Sequence, residues 1–408
     1  MSQEFTSPFD RSDRLDPEII ANPYPSYHEL LARDPVHWSE ERQSWFLTRY
    51  PDVLEALRDR RLSSDRMSTY ASRIPEPMQE TMAPILRIFS NMMLLSDPPS
   101  HTRLRSLANK AFTPRIVENM RSHIQAIVDR SMDDVESGGR MDVIGDLAYP
   151  LPATLICEML GVPPEDRDQF KKWSDDLAAF LGDIRRAAQH VDVAQRSALD
   201  MIDYLRGIIR ECRQNPRDDL ISALVAAEEE GDVFSEEELF SMFVLLQIAG
   251  HETTTNLIGN GLLALLQNPE QLEKLRADPS LIETAVEEFL RYHSPVQTTM
   301  RIPLEDLQIG GRQISQGQPT YLFIAAANRD HAQFPEPDRL DITRQENRHL
   351  AFAFGPHFCL GRPWLAWKGR SPSAPCSGAW TSSGLNLPFH PTAGWRISRG
   401  ATSRSFAA

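Results

Sequence analysis

A mainly α-helical fold with a small β-rich region is the architecture predicted for this chain of 408 residues. Three observations carry the prediction. Helical patterning, punctuated by prolines, runs from Pro51 to about Arg291. A long apolar stretch, Phe240 to Leu266, sits inside that region. Short alternating runs fall at the two ends of it, around Val36–Leu47 and after Pro295.

The elements follow in order. Val36 and Trp38 alternate with polar neighbours, and so, less cleanly, do Trp45 and Leu47; the polar run Ser39–Ser44 lies between them, which predicts a hairpin. Asp97-Pro98-Pro99 reads as a helix start, with a capping acid and prolines in the first turn. Pro114, Pro150 and Pro163-Pro164 punctuate the helices that follow. Ser235, followed by Glu236, Glu237 and Glu238, caps the long apolar helix. Strands are expected at Val296–Arg301, Leu307–Ile309 and Thr320–Ala325. We expect a single domain over residues 1–408, with no separate flavin or ferredoxin domain.

Composition narrows the function. A formal net charge of −14 offers no footprint for nucleic acid or an anionic membrane. Gln247, His251 and Glu252 interrupt the apolar stretch, so it does not read as a membrane span. Cys157, Cys212, Cys359 and Cys376 are too few and scattered for a disulfide framework, and no signal peptide is visible at the N-terminus. A reducing cytoplasm is the expected compartment.

The run Phe352-Ala353-Phe354-Gly355-Pro356-His357-Phe358-Cys359-Leu360-Gly361 is the most informative segment. A thiolate can serve as the axial ligand of haem iron. Gly355 and Gly361 permit backbone paths that let main-chain N–H groups approach the sulfur. A buried structural cysteine is the alternative reading of Cys359 alone. A second constellation, Ala249-Gly250-His251-Glu252-Thr253-Thr254, lies in the long helix. The Thr253 hydroxyl can bond the Ala249 carbonyl four residues back and loosen the helix there, whereas a capping or solvated Glu-Thr pair is the bland reading. A zinc-protease helix would need histidine at position 255, which is threonine. Gly259-Asn260-Gly261 lies within the helix and has no preceding strand, so it is no dinucleotide fingerprint. Glu288 and Arg291 are i, i+3 neighbours, by themselves an ordinary surface pair. His101 and Arg105 share one helix face.

Together these motifs resemble the cytochrome P-450 family over roughly residues 15–365. The cysteine loop matches the family's Phe-Gly-x-Gly-x-His-x-Cys-x-Gly, except that Ala353 stands where the family has glycine. The resemblance implies the cytochrome P-450 fold and haem b with Cys359 as axial ligand. It implies Phe352, Gly355, Gly361, Ala249 and Gly250 around the cofactor, and His101, Arg105, Arg301 and His357 on its propionates. Thr253 and Glu252 become the catalytic pair that delivers protons to bound dioxygen. Glu288, Arg291 and Arg339 become a structural network fixing the meander before the cysteine loop. Met92, Leu94, Leu245, Ala249, Val296 and Thr298 are candidates for an apolar pocket, and the methionines between Met67 and Met93 suit an adaptable one.

The texture is most similar to bacterial members that hydroxylate secondary metabolites such as polyketides. Electrons are expected from a ferredoxin or flavodoxin with an NAD(P)H-dependent reductase. Basic Arg362 and Lys368 would face such an acidic partner. Alternatives are a peroxide-driven or coupling haem-thiolate enzyme, and a non-catalytic or disabled haem protein. The last is motivated by the C-terminal segment. Nothing after Glu346 is acidic, and residues 370–408 lack helical periodicity where the family has a helix. Ser371-Pro372-Ser373-Ala374-Pro375 would break that helix. The segment reads as a translated frameshift, which resequencing the coding DNA decides.

Overall fold

The structure is a computed structural model that describes residues 7–10, 17–71, 76–112, 123–133, 141–182, 187–217, 219–227 and 233–362. Pro114, Cys376, Lys368 and the atypical C-terminal segment lie outside the described residues. The chain forms two compact units. One draws its described residues from 7–66 and 256–359, the other from 67–255 and 360–362.

The first unit holds the β structure. Strands β1 (Val36–Ser39) and β2 (Ser44–Leu47) form the expected hairpin, with Trp38 opposite Trp45. They join β3 (Leu62–Ser63), β4 (Thr299–Pro303) and β7 (Thr320–Leu322) in one sheet of order β1-β2-β7-β4-β3. Only the β2–β7 pairing is parallel among these. A separate hairpin joins β5 (Leu307–Ile309) to β6 (Arg312–Ile314). Leu47, Val53, Leu322, Phe334 and Leu350 are buried in the core where the sheet meets the helix Tyr50–Arg58 and the segment before the cysteine loop.

Two strands differ from expectation. The strand expected at Val296–Arg301 begins at Thr299. The Gln297 side chain folds back to donate to the Ser294 carbonyl (2.7 Å) and accepts from the Tyr27 hydroxyl (3.0 Å), which holds the preceding residues out of the sheet. The strand expected to reach Ala325 stops at Leu322, because a helical turn, Ile324–Ala327, begins there.

The second unit is helical among its described residues apart from short turns. It contains Glu76–Ser90, Ser100–Ala111, 123–133, Pro150–Met159, Arg167–Gly182, Ala187–Gln214 and Leu220–Ala227. Phe89, Phe170, Phe180, Phe234 and Phe243 are fully buried in it, and Phe89 stacks on Phe180 at 5.4 Å. The helix expected at Asp97 begins at Ser100 instead. The Asp97 carbonyl accepts from the His101 N–H (2.9 Å), ahead of a helix whose N-cap residue is Pro99.

The long helix spans Glu236–Gln267, and the division between the units falls within it, after Thr255. Its start is a capping box. Ser235 Oγ accepts from the Glu238 N–H (3.2 Å), and the Glu238 carboxylate accepts from the Ser235 N–H (2.8 Å). Further along, a Cβ on Gly261 would lie 2.8 Å from the Phe289 ring, so glycine there lets the helix Ile282–Tyr292 pack closely. No described helix is long and apolar enough to cross a membrane.

Candidate functional site

The expected site residues fall in both units, and each set is described within its own.

In the first unit, Cys359 ends a tight loop. Its N–H donates to the Phe352 carbonyl (2.9 Å), and a 3-10 turn, Gly355–His357, lies between them. Gly355 has φ +73°, and a Cβ there would come 2.7 Å from the Leu57 carbonyl oxygen. Only glycine permits both the left-handed backbone and the close approach. The Arg58 guanidinium lies 4.1 Å from the centre of the Phe354 ring and covers the loop from outside. Ala353 also has positive φ, +58°. The family's glycine at that position suits this conformation, and alanine adopts it at a strain of about 1–2 kcal/mol. Phe352, His357 and Cys359 are half-buried. Leu360 and Gly361 form the turn that follows.

Arg301, on β4, is buried, and its Nη1 donates to Thr299 Oγ1 (3.2 Å) and the Met300 carbonyl (2.9 Å). Thr298 is buried, its hydroxyl has no hydrogen-bond partner, and Val296 is half-buried nearby in sequence.

The loop is approached through a buried ionic network. Glu288 and Arg291 are both fully buried, so they are not the ordinary surface pair that spacing alone suggests. Arg291 Nε and Nη2 each donate to the Glu288 carboxylate at 2.8 Å. The third member differs from expectation. The Arg339 side chain reaches exposed Glu336 instead, and Arg339 offers Arg291 only its carbonyl (3.3 Å). Arg344 takes the place beside the carboxylate, with Nε 3.2 Å from Glu288 Oε2. The physical reason is reach from a buried position: Arg344 is largely buried beside Glu288, whereas Arg339 projects to solvent. The Asp341 N–H (2.9 Å) and Asn347 Nδ2 (3.3 Å) complete the shell around the carboxylate. Arg291 Nη1 also donates to the carbonyls of Asn328 (3.0 Å) and Pro337 (2.8 Å), pinning the meander. A buried carboxylate needs several donors, and that requirement is the signal that would have pointed to Arg344.

In the second unit, Thr253 Oγ1 donates to the Ala249 carbonyl (2.6 Å), as the sequence predicts. Ala249 is exposed, and Gly250, Glu252 and Thr253 are half-buried, so this side of an otherwise apolar helix is open. A Cβ on Gly250 would lie 3.3 Å from Ile156. Gln247, His251 and Thr255 recur every four residues and are buried. His251 packs edge-on against the Tyr149 ring at 4.5 Å. Burial pushes its imidazole down to about 4, so it is neutral at pH 7. The Tyr149 hydroxyl donates to Asp175 (2.8 Å), and Lys171 sits 3.6 Å over the same ring.

His101 is buried on the helix Ser100–Ala111, and Arg105 follows one turn later, half-buried. Of the pocket candidates, Met92 and Leu245 are buried, whereas Leu94 is exposed. Among the described residues, no group of three or more His, Cys, Asp or Glu side chains could hold a metal ion.

Comparison with known proteins gives a family. The Cytochrome P-450 family model matches residues 75–364. The polyketide biosynthesis cytochrome P-450 PksS of Bacillus subtilis is 38% identical over 365 residues, 86% of this chain and 87% of the relative. Vitamin D(3) 25-hydroxylase of Pseudonocardia autotrophica is 42% identical over 378 residues, 90% of this chain and 88% of the relative. Among solved structures, P450BioI in complex with an acyl carrier protein ligated to hexadec-9Z-enoic acid superposes with a TM-score of 0.82. It is 38% identical, and the match covers 91% of this chain and 93% of that one. On the family model matched over residues 75–364 and relatives 38–42% identical over most of its length, the chain belongs to the cytochrome P-450 family of monooxygenases.

Proposed function

We propose that this monooxygenase hydroxylates or epoxidises an apolar secondary metabolite, such as a polyketide, using haem b ligated by Cys359 and electrons from a ferredoxin or flavodoxin and its reductase. The relative named for polyketide biosynthesis, PksS of Bacillus subtilis, supports that substrate class. For hydroxylation the balance is substrate C–H plus dioxygen, two electrons and two protons, giving C–OH and water.

The residues present fit the cofactor. Cys359 offers a soft sulfur donor from a half-buried loop whose path only glycine allows at Gly355. Buried Thr298 Oγ1 is left without a hydrogen-bond partner, and an orphaned buried hydroxyl calls for a ligand or water. When bound, the haem supplies the redox chemistry and the activation of dioxygen, while the chain supplies ligand, proton path and orientation.

In this reading Cys359 provides the thiolate, and His101, Arg105, Arg301 and His357 neutralise the propionates. Phe352, Gly355, Gly361, Ala249 and Gly250 shape the surroundings of the ring. Thr253 Oγ1 holds its own hydrogen on the Ala249 carbonyl and so keeps its lone pairs free to accept a hydrogen bond from a proton donor beside it. Glu252, the adjacent residue, brings protons from solvent. Met92, Leu245, Val296 and Thr298 orient the substrate and exclude water. Glu288, Arg291 and Arg344 hold the meander.

The observation that carries the proposal is the back-bond of Thr253 to Ala249 in an accessible stretch of an apolar helix. Thr253→Ala tests it. We expect reductant-driven turnover to uncouple, so that dioxygen is consumed with little product, while peroxide-driven product formation persists. Unchanged reductant-driven coupling would remove the proton role of Thr253.

A further inference from the structure

Arg66 is 4% exposed, and its Nε has no hydrogen-bond partner. Its backbone N–H donates to the Ser64 carbonyl (2.9 Å), but that bond does nothing for Nε. No carboxylate acts on it. Among the described residues the Tyr321 phenol is the one ionisable neighbour that acts on it. Burial lowers its ordinary value only to about 10, so Arg66 stays cationic at neutral pH. A buried guanidinium without a counter-charge is expensive, and proteins otherwise pair it or place it against an anion.

Its place in the fold is specific. β3 runs antiparallel to β4 with Ser63 opposite Ile302, so the chain leaving β3 toward Arg66 heads for the Thr299 end of β4. Tyr321 lies on β7, opposite Met300 of β4. At that same end of β4, Thr298 is buried with an unpartnered hydroxyl. Two buried polar atoms, Arg66 Nε and the Thr298 hydroxyl, are thus left unsatisfied on the segments that meet at this end of β4. Their chemistry is that of a carboxylate receptor, since the guanidinium fork matches two carboxylate oxygens and a hydroxyl adds a further donor.

We propose that Arg66 binds a carboxylate that the chain itself does not supply. The inference rests on the haem-thiolate reading above, and two sources present this group there: a propionate of the haem, or an acid group on the substrate.

The test uses the haem-loaded protein with Arg66→Met and Arg66→Lys. A medium-chain fatty acid and its methyl ester are titrated by the spectral shift of the haem, and haem loss to apomyoglobin is timed. If the substrate supplies the carboxylate, Arg66→Met weakens the acid by about tenfold or more, as expected for a lost charge-assisted bond, and spares the ester. If a propionate supplies it, haem loss accelerates by a similar factor, and acid and ester change together. Arg66→Lys keeps the charge without the fork, falls between wild type and Met in either arm, and guards against misfolding of the Met variant. Unchanged haem loss together with an unchanged acid-to-ester ratio in both variants overturns the proposal. A wild-type protein with no haem absorbance instead overturns the haem-thiolate reading, and this inference with it.

Discussion

Replacing Glu288 by glutamine tests how the meander is held. The carboxylate accepts from Arg291 Nε and Nη2, Arg344 Nε, Asn347 Nδ2 and the Asp341 N–H, at distances of 2.8–3.4 Å. Glutamine keeps the shape but removes the charge and turns one acceptor oxygen into a donor group facing other donors. Arg291, with no solvent exposure, then loses its counter-charge. Removing one member of such a buried pair costs about 3–5 kcal/mol, a large share of a typical stability of about 5–15 kcal/mol. The loss should concentrate where the network is anchored. Native-state hydrogen exchange reads it at the Asp341 amide, which donates to Glu288, and at the Leu350 amide, which donates to Asn328 Oδ1 (2.7 Å). At 1.4 kcal/mol per decade, exchange there should speed up by about a hundredfold or more. Adding Arg291→Met to Glu288→Gln should recover part of the loss, because the stranded cation is gone. Exchange that changes less than about threefold at both amides, or a double variant that costs the full sum of the singles, would refute the reasoning.

Two further outcomes follow from the geometry. Gly355→Ala places a Cβ 2.7 Å from the Leu57 carbonyl at φ +73°, whereas Gly311→Ala, at φ +82° with nothing within 4 Å, bears the backbone strain alone. Thermal melts and haem stoichiometry should show Gly311→Ala losing about 1–2 kcal/mol and Gly355→Ala losing more, with reduced haem loading. Burial holds His251 and His293 down to about 4 from 6.5. Between those values the unfolded chain binds protons that the folded chain refuses, so stability rises with pH across the window and is flat with respect to these groups above and below it. Acid titration of urea stability should therefore be shallower for His251→Phe, by up to about 1.4 kcal/mol per pH unit within the window. An unchanged slope would contradict the buried neutral imidazole.

How much was legible in the sequence depended on whether the determining contacts were local. The Ser235 cap and the Trp38–Trp45 hairpin were readable because their signals lie within a few residues of the structure they make. So was the Thr253 back-bond, a contact across one helical turn. Of the β5–β6 hairpin, β5 was found at Leu307–Ile309 but its partner was missed, although Gly310-Gly311, both at positive φ, is the two-residue turn such a hairpin favours. β6 was hidden because only Ile314 of its three residues is buried, leaving little apolar alternation to detect. Arg344 was missed for a different reason. Its partner lies 56 residues away and is chosen by the needs of a buried carboxylate, which no local pattern announces. Arg66 is the same kind of case: nothing in its neighbours says that its charge will be buried without an acid.

The most direct measurement is the absorption spectrum of the reduced protein under carbon monoxide, taken for wild type and for Cys359→Ser at matched haem content. Wild type should show the red-shifted Soret band of a thiolate-ligated carbonyl complex, and the serine variant should lose that band together with reductant-driven turnover. A serine variant with the same band and the same turnover would contradict the assignment of Cys359 as the iron ligand.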